Sequence, residues 1–82
     1  MTIRVLVNGA AGRMGQITTE TIEQDPAFSL VAKTHSSDEL KKSLLSSKTD
    51  IVIDFTNAAV VFENTKNIIL AGAHPVIGTS GL

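Results

Sequence analysis

The sequence predicts an α/β fold: an open parallel sheet of four strands in the order 2-1-3-4, with helices flanking it. Three observations carry this reading. Short runs rich in Val and Ile alternate with segments of helical periodicity, and strand-helix alternation of this kind gives parallel strands joined by right-handed crossovers. A glycine-rich turn, Gly9 to Gly15, falls between the first strand and the first helix. The most continuously apolar run, Ile51-Val52-Ile53-Asp54-Phe55, suits a strand covered on both faces. It is therefore expected beside the first strand, with the topological switch point between the two.

Taken in order, Ile3 to Val7 is a β-branched run ending on Asn8-Gly9, as a buried strand feeding a turn does. From Arg13, the positions Met14, Ile17, Thr18, Thr21 and Ile22 recur at helical spacing and predict a helix face that stops before Asp25-Pro26. Phe28 to Thr34 reads as the second strand. Ser36 to Glu39 forms a capping box, with Ser36 as N-cap and Glu39 reaching back, and opens a short helix over about Ser37 to Ser46. After the third strand, Asn57 caps a helix whose expected face is Val61, Phe62, Thr65, Ile68 and Ile69, closed by Gly72. His74-Pro75 then leads into a last strand, Val76-Ile77.

Composition narrows the function. With 82 residues the chain holds one domain, near the lower limit for a single core. Hydrophobic residues make up 43% and charged ones 18%, which places it among globular α/β chains. A net charge of −1, with seven dispersed Lys and Arg, offers no basic field for nucleic acid. There is no cysteine for a disulfide or a thiolate site, and two isolated histidines build no closed zinc site, so no metal is expected. No apolar run approaches the ~20 residues that span a bilayer, and the first residues carry no signal pattern, so no membrane partner and a cytoplasmic location are expected.

The chemistry concentrates at the carboxyl ends of the strands. Gly9-Ala10-Ala11-Gly12-Arg13-Met14-Gly15 places glycines where a backbone must approach a ligand closely, and opens a helix whose N-terminal N–H groups suit a pyrophosphate. The spacing, G-x-x-G-x-x-G, is one residue longer than the commonest dinucleotide fingerprint, and no Gly-Lys-Ser/Thr ending makes it a P-loop. A bare tight turn is the other reading of these glycines. Beyond the second strand, where an acidic residue usually meets the ribose, stand His35 and Ser36; with Lys33 nearby they would tolerate a 2′-phosphate, or they are simply a solvated loop residue and a cap. Asp54-Phe55-Thr56 and Gly78-Thr79-Ser80-Gly81 end the third and fourth strands on the same edge, and each is either a ligand-facing loop or an ordinary turn. His74, at the opposite edge, reads as a spacer.

Three blocks in this order, Val7 to Gly15, Ile51 to Thr56 and Pro75 to Gly81, resemble the N-terminal region of the 4-hydroxy-tetrahydrodipicolinate reductases, also called dihydrodipicolinate reductases. The resemblance covers essentially the whole chain. It implies a Rossmann-like domain and reduction by NADH or NADPH in the diaminopimelate route to lysine. It further implies that Gly9, Ala10, Ala11, Gly12, Arg13 and Met14 hold the pyrophosphate and adjoining ribose. Phe55, Thr56, Gly78, Thr79 and Ser80 would then lie toward the nicotinamide.

In many members an acidic-basic pair stands where this chain has His35-Ser36, which leaves the choice of NADH or NADPH open. The family's acid and substrate-binding groups lie in a C-terminal domain, so residues 1–82 are expected to be a partial NAD(P)-binding domain without catalytic residues. On that reading the small-molecule substrate is met only together with the other domain, in an enzyme that is a homo-oligomer when complete. A freestanding nucleotide-binding or regulatory module is the alternative.

Overall fold

A computed structural model describes residues 2–78. Seven elements follow one another: β1 (Ile3–Asn8), α1 (Arg13–Gln24), β2 (Phe28–Thr34), α2 (Ser37–Ser46), β3 (Ile51–Asp54), α3 (Ala58–Leu70) and β4 (His74–Ile77). All strand pairs are parallel, and the sheet order is β2-β1-β3-β4, as the apolarity of the third run predicts. From β1 the chain moves outward to β2 and then returns past β1 to β3 and β4. Right-handed crossovers in opposite directions put their helices on opposite faces, so α1 covers one face while α2 and α3 cover the other.

The two faces make two apolar clusters. Leu6, Leu40, Val52, Ile68 and Ala73 fill the space under α2 and α3, and Val5, Val7, Ala10 and Ile22 fill the space under α1. Alternation along β1 sends Leu6 one way and its neighbours the other, which is why the strand reads as continuously apolar. Ile51 and Ile53 are only half-buried, because among the described residues α1 is the only helix on their face and it lies over β1 and β2.

Several local expectations hold and some do not. Ser36 accepts from the Glu39 N–H at 3.2 Å, and the Glu39 carboxylate reaches back to the N–H of His35, one residue before the cap. Asn57 caps α3, and Gly72 follows that helix at φ +84°. The fourth strand begins at His74 rather than Val76. The His74 N–H bonds the carbonyl of Asp50, just before β3, so the next residue, Pro75, has its missing donor on the outer side of the edge strand, where proline is tolerated.

The predicted helix faces need correction. The buried residues of α1 are Gly15, Thr19 and Ile22, and Met14 and Ile17 are exposed. Those of α3 are Val61, Asn64 and Ile68, with Phe62 85% exposed and Ile69 exposed beside it. In both helices the sequence pattern follows the larger apolar side chains, whereas the sheet selects the side where a small or hydrogen-bonded residue permits close approach.

Candidate functional site

The glycine turn is built from three glycines with three different tasks. Gly9 has φ +81°, and a methyl group there would lie 3.0 Å from the Phe55 carbonyl carbon, so both its conformation and its neighbours require glycine. Its carbonyl oxygen is turned back onto α1, accepting from the Gly12 N–H and packing against Gly15, where a methyl would overlap it. Gly15 is thus the close-packing glycine. Gly12 has an ordinary φ of −72° and open space in front of it, with the Gly9 oxygen 3.7 Å from an added methyl. Nothing among the described residues demands glycine at that position, which leaves room for a ligand as the reason.

Helix α1 starts unlike the other two. Ser36 and Asn57 cap α2 and α3 with side-chain oxygens, while α1 has Gly12 at its N-cap and no side-chain hydrogen bond. Its first turn carries no acidic residue and begins with Arg13, whereas the first turn of α2 carries Asp38 and Glu39. A helix N-terminus is partially positive and favours acidic neighbours, so a cationic, uncapped first turn is poorly matched to itself and well matched to an anion.

This N-terminus opens into a cleft of about 390 Å³. Gly9, Gly12, Arg13, Met14 and Gly15 form one wall, and Phe55, Thr56, Asn57, Ala58 and Gly78 form the other. The Phe55 ring lies directly against Gly78, in space that any side chain at residue 78 would contest. Of the residues singled out by sequence, Gly9, Gly12, Arg13, Met14, Phe55, Thr56 and Gly78 converge here. Ala10 is buried, and its N–H joins that of Gly9 on the Thr34 carbonyl; the Ala11 carbonyl accepts from the Gln16 side chain. Neither alanine lines the cleft. His35 and Ser36 lie exposed at the end of β2, across the Gly9 turn from the cleft. Thr79 and Ser80 fall outside the described residues.

Beneath the cleft lies a buried polar network that sequence reading missed. Asn8, Asp54 and Asn64 each have 0% exposure. Asp54 Oδ1 accepts from the Thr56 hydroxyl at 2.6 Å, the Thr56 N–H at 3.0 Å and Asn8 Nδ2 at 3.4 Å; its Oδ2 accepts from Asn64 Nδ2 at 3.1 Å. Asn8 Oδ1 accepts from the Thr34 hydroxyl, and Asn64 Oδ1 from that of Ser37. The Thr56 N–H and hydroxyl hydrogen are both given to Asp54, and the Thr56 hydroxyl oxygen accepts from Asn64 Nδ2 at 3.2 Å, so this residue ties the cleft wall to the network beneath it. The signal available in the sequence was positional: Asn8 and Asp54 end two apolar strands, and Asn64 interrupts the apolar row Val61 to Ile68.

Comparison with known proteins places this geometry. Residues 3–82 match the family described as dihydrodipicolinate reductase, N-terminus. The chain belongs to that family. It is 51% identical over all 82 residues to the 4-hydroxy-tetrahydrodipicolinate reductase of Legionella pneumophila strain Corby, and 44% identical to that of a Coxiella burnetii strain. In both comparisons it spans 34% of the relative's length, about a third of the curated relatives it matches. Among solved structures, the dipicolinate-bound dihydrodipicolinate reductase from Paenisporosarcina sp. TG-14 superposes on the whole chain with a TM-score of 0.86 at 26% identity, over 39% of its own length. The Rossmann-like fold and the family expected from the three sequence blocks are both confirmed. No helix among the described residues is long and apolar enough to cross a membrane.

Proposed function

We propose that this chain is the cofactor-binding portion of an NADH- or NADPH-dependent reductase that converts 4-hydroxy-tetrahydrodipicolinate to tetrahydrodipicolinate in the cytoplasm, on the diaminopimelate route to lysine. The observation that carries the proposal is the uncapped, cationic N-terminus of α1 facing the cleft between the Gly9 turn and Phe55-Thr56. Free N–H groups of the first helical turn, with Arg13 beside them, would hold the pyrophosphate, and Gly12 would let it approach the backbone. Gly9 shapes the turn and would stand beside the pyrophosphate in the cleft wall. Phe55, Thr56 and Gly78, with Thr79 and Ser80 beyond, would flank the nicotinamide, and His35 and Ser36 the adenosine ribose. A bound reduced nicotinamide supplies a hydride. This chain's residues bind and orient it, and they exclude water from one side of the ring through the Phe55 side chain.

The Paenisporosarcina relative carries dipicolinate. A cyclic dicarboxylate of that class is the substrate we assign to the complete polypeptide, a homo-oligomer in which a second domain supplies the acid and the cations that hold the substrate. Without them, hydride delivery has neither a fixed acceptor nor stabilisation of its transition state, so residues 1–82 alone are catalytically silent. The test is to purify the chain, titrate it with NADH and NADPH to millimolar concentration, and follow cofactor oxidation with freshly generated substrate. Saturable binding without turnover is expected. Absence of binding removes the reading, and turnover comparable to a complete reductase shows that the catalytic groups lie within these residues.

A further inference from the structure

We propose that Ser37 and Asn64 are positioning residues for the choice between NADH and NADPH, acting by fixing the turn that carries His35 and Ser36. The inference rests on the reading of the cleft as a dinucleotide site and goes beyond it. Four side-chain hydrogen bonds hold this turn, and they divide by range. Two involve Glu39, whose carboxylate accepts from the His35 N–H and whose own N–H donates to the Ser36 hydroxyl, and they span four and three residues. They set the local shape of the turn. The other two span 26 and 27 residues: Thr34 donates to Asn8 Oδ1 at 2.6 Å, and Ser37 donates to Asn64 Oδ1 at 2.7 Å. Together with the backbone bonds from the Gly9 and Ala10 N–H groups to the Thr34 carbonyl, these tie the turn to the rest of the molecule, and on the Ser37 side the bond to Asn64 is the long-range one.

Both long-range bonds end on the same floor. Asn8 and Asn64 each donate to Asp54, the residue that also holds the N–H and hydroxyl of Thr56 in the cleft wall. Thr34 and Ser37 bracket His35 and Ser36, so the pair is anchored on each side to a structure that also sets the far wall of the cleft. A side chain that distinguishes a 2′-hydroxyl from a 2′-phosphate acts through hydrogen-bond geometry, which a shift of about 1 Å destroys. Ser37 touches no part of the cleft itself, and its hydroxyl reaches the site only through Asn64.

The experiment compares Ser37→Ala, which removes the bond to Asn64, with Ser37→Thr, which keeps a hydroxyl. NADH and NADPH affinities are measured by calorimetry for the chain and for both variants. Loss of one hydrogen bond that places the discriminating turn should change the ratio of the two affinities by about three- to tenfold in Ser37→Ala, with Ser37→Thr restoring the original ratio. A variant that merely loosens the fold lowers both affinities alike and leaves the ratio unchanged, and that outcome overturns the proposal. Asn64→Ala should move the ratio in the same direction; because it also leaves Asp54 short of a partner and so weakens the fold, the serine pair carries the decision. Failure of the unaltered chain to bind either dinucleotide would overturn the cleft reading and this inference together, whereas an unmoved ratio in a chain that binds would overturn this inference alone.

Discussion

Strands β1 and β3 are joined through side chains at both ends, and the two joints are made of opposite materials. At the amino ends Arg4 meets Asp50 in an ion pair of 3.3 Å, with the two side chains 37% and 39% exposed. At the carboxyl ends Asn8 meets Asp54, and both residues are wholly buried. The exposed pair sits in water that screens it, so either partner can be lost at small cost. In the buried network each polar atom depends on its neighbours, because water cannot replace a missing one. The site lies above the second joint. The sheet edge from which Thr56, the Gly9 turn and the β2–α2 turn project is therefore held by the kind of contact that tolerates least displacement.

The largest effect that would test this contrast comes from Asn64→Leu. The substitution keeps the branched shape of asparagine, with two bulkier methyl groups, but strips Asp54 Oδ2 and the Ser37 hydroxyl of their partner. We expect a loss of about 3 kcal/mol in urea unfolding, a large part of the roughly 5–15 kcal/mol that holds a typical domain together. A change below about 0.5 kcal/mol, the range of ordinary surface substitutions, would show that the network is not under the constraint its burial implies.

Gly12→Val separates binding from folding at the same edge. Gly12 has an ordinary φ and free space before it, so the variant should lose about 1 kcal/mol or less, as a poorer helix cap. On the proposed reading of the cleft, dinucleotide affinity should nevertheless fall more than about tenfold, because the new side chain would stand where a pyrophosphate would meet the backbone. Calorimetry on the folded variant is the measurement, and unchanged binding would remove Gly12 from the site.

The smallest effect belongs to the amino edge. The Arg4 N–H donates to the Asp50 carboxylate at 2.9 Å and, with the guanidinium of Arg4 and the charge of Lys48 adding to it, holds this carboxyl below the usual aspartate value of 3.8, against an opposing push from desolvation. A folded-state value below the unfolded one means stabilisation that is present above the ordinary aspartate range and is lost as pH falls through the folded value. Asp50→Asn should remove that part of the acid limb of a stability-versus-pH curve and leave the neutral region with a slight loss. A full-sized acid transition in the variant would show that Asp50 contributes nothing to it.

Much of this molecule is legible in the residue string. Local signals placed the helix caps at Ser36 and Asn57 and the left-handed glycine at Gly72, because a cap is decided within three or four residues. They also placed the glycine turn between strand and helix. The helix faces were misjudged at Met14, Ile17, Phe62 and Ile69, since periodicity ranks side chains by apolarity while packing ranks them by fit against the sheet. His35 and Ser36 were correctly placed at the end of β2, but what holds them there was out of reach.

By itself the sequence determined the order of elements, the strand order 2-1-3-4 and the position of the glycine turn, all of which depend on contacts short in sequence or on the apolarity of whole strands. Only the tertiary structure decided that Asn8, Asp54 and Asn64 form one buried network. Asn8 and Asp54 stand 46 positions apart and become neighbours because β1 and β3 pair in a register that sets them side by side. Asn64 joins them because α3 turns its Val61-Asn64-Ile68 side, and not its Phe62-Ile69 side, to the sheet. Register and helix rotation are fixed by packing of the whole core, and no local stretch of sequence contains them.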